Sequence, residues 1–225
     1  MGYVDLNENK RTDWVTPLDC RRLLAQLGPL KLDVCTNPDN PMGAEQFYTS
    51  SVNGLEQSWQ CGGLVWCNHP WSRKDSPLWV NKAVCEGELV HKRAHEGGIA
   101  LCLRCGKDLD VHVFLGDGYY VCRDLDGCFE LGSTEIVLLG PSRPDTAWFR
   151  NIWGSADVIY FWKGRMTFWD PRTGMPHMAW NKKTKRWENQ PVPVPVQLSY
   201  WGHRPHTFVD VFMQQGGAFA YPTPF

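Results

Sequence analysis

The spacing of hydrophobic and polar residues divides the first two thirds of the chain into apolar runs and amphipathic stretches that alternate. Short apolar runs bounded by turn residues predict buried strands at 30–35, 64–67, 136–139 and 158–161. Helical spacing and end signals predict helices at 16–27, 77–88 and 145–152. Strands that alternate with helices favour an α/β fold whose sheet is mostly parallel and covered by helices on both faces.

The first predicted helix carries a start signal and a stop signal. Thr16 is expected to cap its N-terminus, with Pro17 at the first helical position. Gly28 and Pro29 are expected to end it.

From Met166 onward the pattern changes to that of hairpins. Residues 167–169 and 178–180 flank the turn sequence 170–174 and are expected to pair with each other. The proline-rich stretch 191–195 predicts an extended surface segment, and 197–201 predicts a last strand.

Length and charge limit the classes of protein to which the chain can belong. Its 225 residues suffice for one α/β domain with a full core and a small added module. Its apolar stretches fall far short of the ~20 residues that span a bilayer. No secretory signal pattern opens the chain, so we expect a cytoplasmic protein with no membrane partner, in the bacterial host cytoplasm if it is phage-encoded.

A net charge of −1 means that any contact with phosphate must come from a local basic patch. The densest patch is 181–187, for which a solvated hairpin tip and a phosphate contact are equally open interpretations. Most of the twelve tryptophans are expected in the core, with one or two free to stack on bases.

Four of the nine cysteines form a pattern typical of a zinc ribbon. Cys102 and Cys105 have the spacing of a zinc-knuckle turn, and Cys122 and Cys128 form a second pair with five residues between them. A hairpin is expected between the two pairs, around 116–118. Four thiolates form a closed, structural site, although unmetallated thiols or a redox pair remain alternatives. The remaining cysteines are expected to be core residues: Cys20, Cys35, Cys61, Cys67 and Cys85.

The strand at 64–67 ends in Asn68-His69-Pro70-Trp71, where we expect the chemistry. The exocyclic amine of a base is a poor nucleophile because its lone pair is delocalised into the ring. An amide oxygen of Asn68 and the backbone carbonyl of His69 can accept the two amine hydrogens and restore the lone pair. Pro70 stiffens the turn, and Trp71 can stack on a base swung out of the duplex. Taken alone, an Asn-x-Pro sequence is also typical of an ordinary turn.

The loop resembles the Asp/Asn-Pro-Pro-aromatic loop of amino-methyltransferases. More narrowly, the ordered motifs resemble those of phage-encoded, Dam-like DNA N6-adenine methyltransferases. The motifs that carry this resemblance are Trp14-Val15-Thr16-Pro17, Leu32-Asp33-Val34-Cys35, Tyr48-Thr49, Asn53-Gly54-Leu55, Asn68-His69-Pro70-Trp71, Asp145-Thr146-Ala147-Trp148-Phe149 and Gly164-Arg165-Met166-Thr167-Phe168. His69 stands where that family has proline, and Asn53 where it has aspartate.

The resemblance implies a Rossmann-like class I methyltransferase fold and S-adenosylmethionine as cofactor. It implies that the cofactor is bound by Thr16, Pro17, Asp33 and Asn53 and that double-stranded DNA is the substrate. The zinc-ribbon-like module is expected as an insertion at 99–134 between two parts of the methyltransferase domain, 14–98 and 135–225, with the hairpin at about 166–190.

Three other functions are compatible with these residues. Guanine N2 in RNA and cytosine N4 in DNA are methylated by related loops. A non-catalytic DNA-binding protein on a decayed methyltransferase fold is the alternative from another class. No oligomeric state is assigned.

The cysteine pattern makes a prediction about metal content. Protein purified without chelator should contain about one zinc ion per chain by elemental analysis, because four thiolates satisfy the tetrahedral preference of zinc. A content well under one zinc per chain would contradict the ribbon.

Overall fold

The computed structural model describes residues 14–95, 112–114, 120–122 and 134–222. Its α-helices are α1 Leu18–Leu24, α2 Asp75–His95, α3 Ala147–Trp153 and α4 Pro205–Met213, and a 3-10 turn, Ala25–Leu27, follows α1. Its strands are β1 Leu30–Asp33, β2 Gln46–Phe47, β3 Leu64–Asn68, β4 His112–Phe114, β5 Tyr120–Cys122, β6 Glu135–Pro141, β7 Val158–Phe161, β8 Trp169–Asp170, β9 Met175–Pro176, β10 Met178–Asn181, β11 Arg186–Asn189, β12 Val196–Trp201 and β13 Ala218–Ala220.

Seven strands form one sheet in the order β13-β7-β12-β6-β3-β1-β2. The pairs β2–β1, β1–β3 and β3–β6 are parallel. The pairs that β12 forms with β6 and β7, and the pair β13–β7, are antiparallel. The expectation of a mostly parallel sheet was therefore wrong: the sheet is mixed, because β12 returns between β6 and β7. The α/β class itself is confirmed, and a large mixed sheet of this kind is compatible with a Rossmann-like methyltransferase fold.

Alternate residues of the central strands point to opposite faces of the sheet, as the pleat requires. In β3, Leu64 and Trp66 join the apolar cluster that includes α1 and α4. Val65 and Cys67 join the cluster on the other face, with the residues of α2 and α3. Helices therefore cover both faces, as expected, and the central strands β3, β6 and β12 are buried on both sides.

The start of the first helix differs from the prediction. Pro17 occupies the N-cap position, its carbonyl accepts the first helical hydrogen bond from the amide of Arg21, and no side chain caps the helix. Thr16 is therefore not the cap; its hydroxyl lies 3.4 Å from the side-chain nitrogen of Asn68. The end of the helical segment at Gly28 was predicted correctly.

The region after Met166 forms two hairpins where one was predicted. Strand β8 pairs with β9, and β10 pairs with β11. The pairing expected between 167–169 and 178–180 was wrong, because Trp169 pairs with Pro176 and the strand at Met178–Asn181 pairs with Arg186–Asn189. Trp169 also forms a bridge with Val15 from the start of the described chain. The basic run 181–187 forms the tip of the second hairpin, with Lys182, Lys183 and Lys185 exposed.

Strand β12 was predicted as the last strand, but α4 and β13 follow it. Helix α4 places Phe208 and Phe212 in the core with no exposed surface. A signal for this helix was present in Pro205 at its first turn and in apolar residues spaced four apart.

A buried ionic cluster joins β6, β12 and the start of α4. The carboxylate of Glu135, which is 2 % exposed, accepts hydrogen bonds from the hydroxyl of Tyr200 at 2.7 Å and from Nε of Arg204 at 2.9 Å. Arg204 forms a second, shorter contact with Glu135 and donates to the carbonyl of Leu27. The cluster therefore links one end of the sheet to the 3-10 turn after α1.

The free cysteines only partly match the expectation of core residues. Cys20 and Cys67 are buried, and burial raises the pKa of the Cys67 thiol well above its ordinary value. Cys35 and Cys61 are half-buried. Cys85 is exposed, so its assignment to the core was wrong.

The four predicted zinc ligands lie at or beyond the edge of what the structure describes. Cys102, Cys105 and Cys128 fall outside the described residues, and Cys122 is described by its backbone alone. The two strands of the expected hairpin, β4 and β5, pair antiparallel with His112 opposite Cys122, and the turn between them lies outside the described residues. No group of three metal-binding side chains occurs among the described residues, which do not include Cys102, Cys105 or Cys128. Within the same residues, no helix combines the length and apolar character needed to cross a membrane.

The Glu135 cluster generates a stability prediction. Glu135→Gln should lower the free energy of unfolding by about 2–4 kcal/mol, because Arg204 then keeps its charge without a buried counter-charge. Urea denaturation followed by circular dichroism measures the change. Glu45→Gln is the matched control: its ion pair with Lys31 at 2.7 Å is solvent-exposed, and such pairs contribute about 1 kcal/mol or less. Equal effects of the two substitutions would contradict the assigned role of Glu135.

Candidate active site

A cleft of about 1130 Å³ opens at the carboxyl ends of the parallel strands. The chain runs from β1 outward to β2 and then returns to β3 on the other side of β1. The sheet order therefore reverses between β1 and β3, and open α/β sheets bind ligands at such a reversal. Residues from the strand ends, the segment before α1 and the second hairpin line the cleft.

Asn68 is the last residue of β3 and lines the cleft at the carboxyl end of that strand. Its side-chain nitrogen donates to the hydroxyl of Thr16 at 3.4 Å. Thr16 is only 2 % exposed, so this hydroxyl is fixed in the wall of the cleft. The amide of Asn68 is thereby oriented, and its oxygen is left as an acceptor.

His69 is buried at 3 % exposure, and its imidazole is parallel to the indole of Trp79 from α2 at a ring separation of 6.5 Å. Nδ1 lies 2.9 Å from the carbonyl of Pro70. Because a carbonyl only accepts, Nδ1 carries the proton and Nε2 is the unprotonated nitrogen. Burial lowers the pKa of His69 to about 4, a shift that its contact with Pro70 and the carboxylate of Asp75 only partly oppose. The ring is therefore neutral at physiological pH.

The hydrogen bond from His69 to Pro70 compensates for the missing proline of the loop. A proline at 69 would fix one backbone angle of the loop. Here the imidazole restrains the next peptide group, and the parallel indole of Trp79 supports the ring. The loop is therefore held by side-chain contacts as well as by Pro70.

Trp71 packs more deeply than a free stacking platform would. Its indole contacts Phe168 edge to face at a ring separation of 5.2 Å and is 8 % exposed. It belongs to the apolar cluster beside α1 and still borders the cleft. The loop is thereby attached to the segment that leads into the hairpins.

Asp33, the last residue of β1, is the buried carboxyl group of the cleft at 2 % exposure. One oxygen accepts a hydrogen bond from the amide of Cys35 at 3.2 Å. Burial raises its pKa to about 7, against the opposing effect of its hydrogen bonds with Cys35 and Thr36. A cationic ligand group beside Asp33 would favour the ionised form.

The turn at Asn53-Gly54 lines the cleft as well. Asn53 has a φ of 57°, in the left-handed region that asparagine tolerates better than most residues. Its side-chain nitrogen donates to Glu56 at 2.6 Å. A Cβ on Gly54 would lie 2.1 Å from the carbonyl oxygen of Val34, so only glycine fits this close approach to β1.

The structure brings most of the predicted site residues together. Seven of them line this cleft: Thr16, Asp33, Asn53, Asn68, His69, Pro70 and Trp71. Pro17 does not line it. Sequence reasoning missed the supporting roles of Trp79 and Phe168, which have no local signal because each contacts the loop from another element.

Comparison with known protein families gives a match over the part of the chain that contains β1 and β3. Residues 4–95 match the family model described as DNA N-6-adenine-methyltransferase (Dam). The Dam-like resemblance is therefore confirmed for this stretch, which contains Thr16, Asp33 and the Asn68 loop. The match stops short of the motifs at 145–149 and 164–168, and no curated protein or solved structure gives a significant match.

The raised pKa of Asp33 predicts a pH-dependent stability. Between about pH 4 and pH 7 the folded protein keeps a proton on Asp33 that the unfolded chain has lost, so the free energy of unfolding falls as pH rises through this range. Asp33→Asn should remove this slope and, without ligand, stabilise the protein above pH 7 by about 1–3 kcal/mol.

Denaturant titrations of the variant and the wild type between pH 4 and pH 8 measure this difference. Asp39→Asn serves as the control, because its side chain is exposed in the loop after β1 and should leave the slope unchanged. An Asp33→Asn variant whose slope equals that of the wild type would refute the assignment.

Proposed function

We propose that this chain transfers a methyl group from S-adenosylmethionine to the N6 amine of adenine in double-stranded DNA. The observation that carries the proposal is the arrangement of Asn68, Thr16 and Asp33. An oriented amide oxygen and a buried carboxyl group lie in one cleft, at the reversal point of an α/β sheet. The Dam match over residues 4–95 supports adenine N6 in DNA over cytosine N4 or guanine N2.

The cleft residues fit the proposed cofactor. Asp33 suits the ammonium group of its methionine part, because a buried carboxyl group with a raised pKa is stabilised in its charged form by a nearby cation. Gly54 lets the turn beside the cleft pack directly against the carbonyl of Val34, just after β1. The volume of about 1130 Å³ exceeds that of most single small-molecule pockets and leaves room for a base beside the cofactor.

When bound, S-adenosylmethionine supplies an electrophilic methyl group on a sulfonium sulfur. The oxygen of Asn68 and the backbone carbonyl of His69 accept the two amine hydrogens of adenine. The lone pair of the amine nitrogen would then be available to form the new N–C bond as the S–C bond breaks. The sulfonium would leave as a neutral thioether, and the methylated amine would lose one proton to solvent water. Holding the amine in this position replaces a chance encounter by an oriented reaction.

His69 contributes by remaining neutral. Positive charge develops on the amine nitrogen during transfer, and an imidazolium next to it would oppose that charge. Because burial lowers the pKa of His69 to about 4, the ring adds no charge at physiological pH. Its hydrogen bond with Pro70 restrains the loop that presents the acceptor carbonyl.

Replacement of Asn68 tests the proposal. Asn68→Ala should reduce the rate of methyl transfer from labelled S-adenosylmethionine to DNA by about 10²–10³-fold or more, the loss seen when one preorganised hydrogen-bonding group is removed from a catalytic site. Asn81→Ala should keep the wild-type rate, because Asn81 lies on the exposed side of α2 and contacts Asn151.

Two further measurements separate the alternatives. Digestion of the product to nucleosides identifies adenine N6, cytosine N4 or guanine N2 as the modified amine. Calorimetry should show that wild type and Asn68→Ala both bind S-adenosylmethionine. Cofactor-bound wild-type protein that labels no DNA would contradict the proposed function and favour a non-catalytic DNA-binding protein.

A further inference from the structure

We propose that Trp180 and Trp187 form a stacking platform that holds an unstacked DNA base at the mouth of the cleft. The inference rests on the proposed function, because it assigns a surface to the DNA strand that must approach the Asn68 loop. It concerns residues that neither the loop chemistry nor the Dam match, which ends at residue 95, includes.

The two indoles lie on one face of the second hairpin. Trp180 of β10 is directly opposite Trp187 of β11, and their ring centroids are 6.0 Å apart with 68° between the ring planes. Met178, two residues before Trp180, lies on the same side of the hairpin. All three border the cleft that contains Asn68.

This aromatic surface is exposed, in contrast to the other tryptophans of the chain. Trp180 is 50 % exposed and Trp187 is 65 % exposed, whereas the remaining ten are buried or half-buried. Trp71, the aromatic residue of the loop itself, is 8 % exposed and packed against Phe168. Large apolar side chains that lie together in the open are typical of interaction sites. Indole rings that border the cleft can stack on a flat aromatic group such as a DNA base.

The charge next to the platform fits a phosphate backbone. Lys182, Lys183, Lys185 and Arg186 are exposed around the turn of the same hairpin. The one carboxylate on these strands, Glu188, accepts hydrogen bonds from Asn181 and Thr184, which lower its pKa. The turn is ordered, since the side chain of Asn181 accepts from the amides of Lys183 and Thr184. Stacking faces beside a row of cations are the combination that binds single-stranded nucleic acid.

The hairpin is anchored to the catalytic side of the molecule at its base. The amide of His177 donates to the carbonyl of Phe168 at 2.8 Å, and the amide of Gln190 donates to the carbonyl of His177 at 2.7 Å. Phe168 in turn contacts Trp71 of the loop. The platform and the loop are therefore joined through one residue, which fixes the platform at the rim of the cleft.

A pair of matched probes isolates the contribution of the bases. The full chain is titrated with a short thymidine oligonucleotide and with an oligomer of the same length whose sugars carry no base, so that the two probes differ only in their bases. Wild type should prefer the thymidine probe. Trp180→Ala and Trp187→Ala should each reduce this preference by roughly tenfold, the effect of losing one base–aromatic stack.

Four other variants make the result specific. Trp180→Phe and Trp187→Phe should retain most of the preference, because they keep an aromatic face. Lys183→Ala should weaken binding of both probes equally and lower the salt dependence by about one phosphate contact. Met213→Ala removes an exposed apolar side chain at the end of α4 and should change nothing.

Two results would overturn the platform: wild type that binds both probes equally, or alanine variants that keep the preference of wild type. Alanine variants that only convert a dimer to a monomer in sedimentation would assign the surface to a contact between copies of the chain.

Methyl transfer to long DNA is measured separately. Transfer without a stacking preference contradicts the platform alone, whereas a stacking preference without transfer contradicts the proposed function alone.

Discussion

Backbone hydrogen bonds hold β3 between β1 and β6, with Trp66 in register with Asp33 on one side and with Val137 on the other. This register fixes the site. Asp33 is level with Trp66, so Asn68 lies two residues, about 7 Å of strand, beyond it toward the cleft. The carboxyl group and the amide therefore project from neighbouring strands at a set spacing. Side chains packed on both faces prevent the strands from sliding, because a shift of one residue would turn Trp66 out of its cluster.

Local signals were sufficient for the strands that carry the site. Strand β7 has the predicted bounds, and the strand predicted at 64–67 delivers Asn68 to its carboxyl end because four apolar residues precede a turn sequence. The failures came from long-range pairing. The place of β12 between β6 and β7, and the bridge from Val15 to Trp169, join segments far apart in the chain. No local pattern encodes such a choice of partner.

The candidate site divides in the same way. Membership of the cleft followed from motifs, since strand ends and the loops after them meet at one edge of the sheet. The hydrogen bonds, charge and packing of each side chain could not be predicted from the motifs. The bond from Asn68 to Thr16, the neutral His69 and the deep packing of Trp71 depend on residues contributed by other elements. The use of Thr16 is the clearest case: it does not cap α1, and its hydroxyl accepts from the side-chain amide of Asn68 instead.

The antiparallel insertion of β12 has a consequence for synthesis on the ribosome. Strands β1, β2, β3 and β6 can pair as soon as they emerge, but β7 reaches the sheet only through β12. Until residues 196–201 have been translated, β6 has an unpaired edge whose side chains are apolar, a surface prone to aggregation. The nascent chain therefore contains the Asn68 loop before the second half of the sheet can assemble.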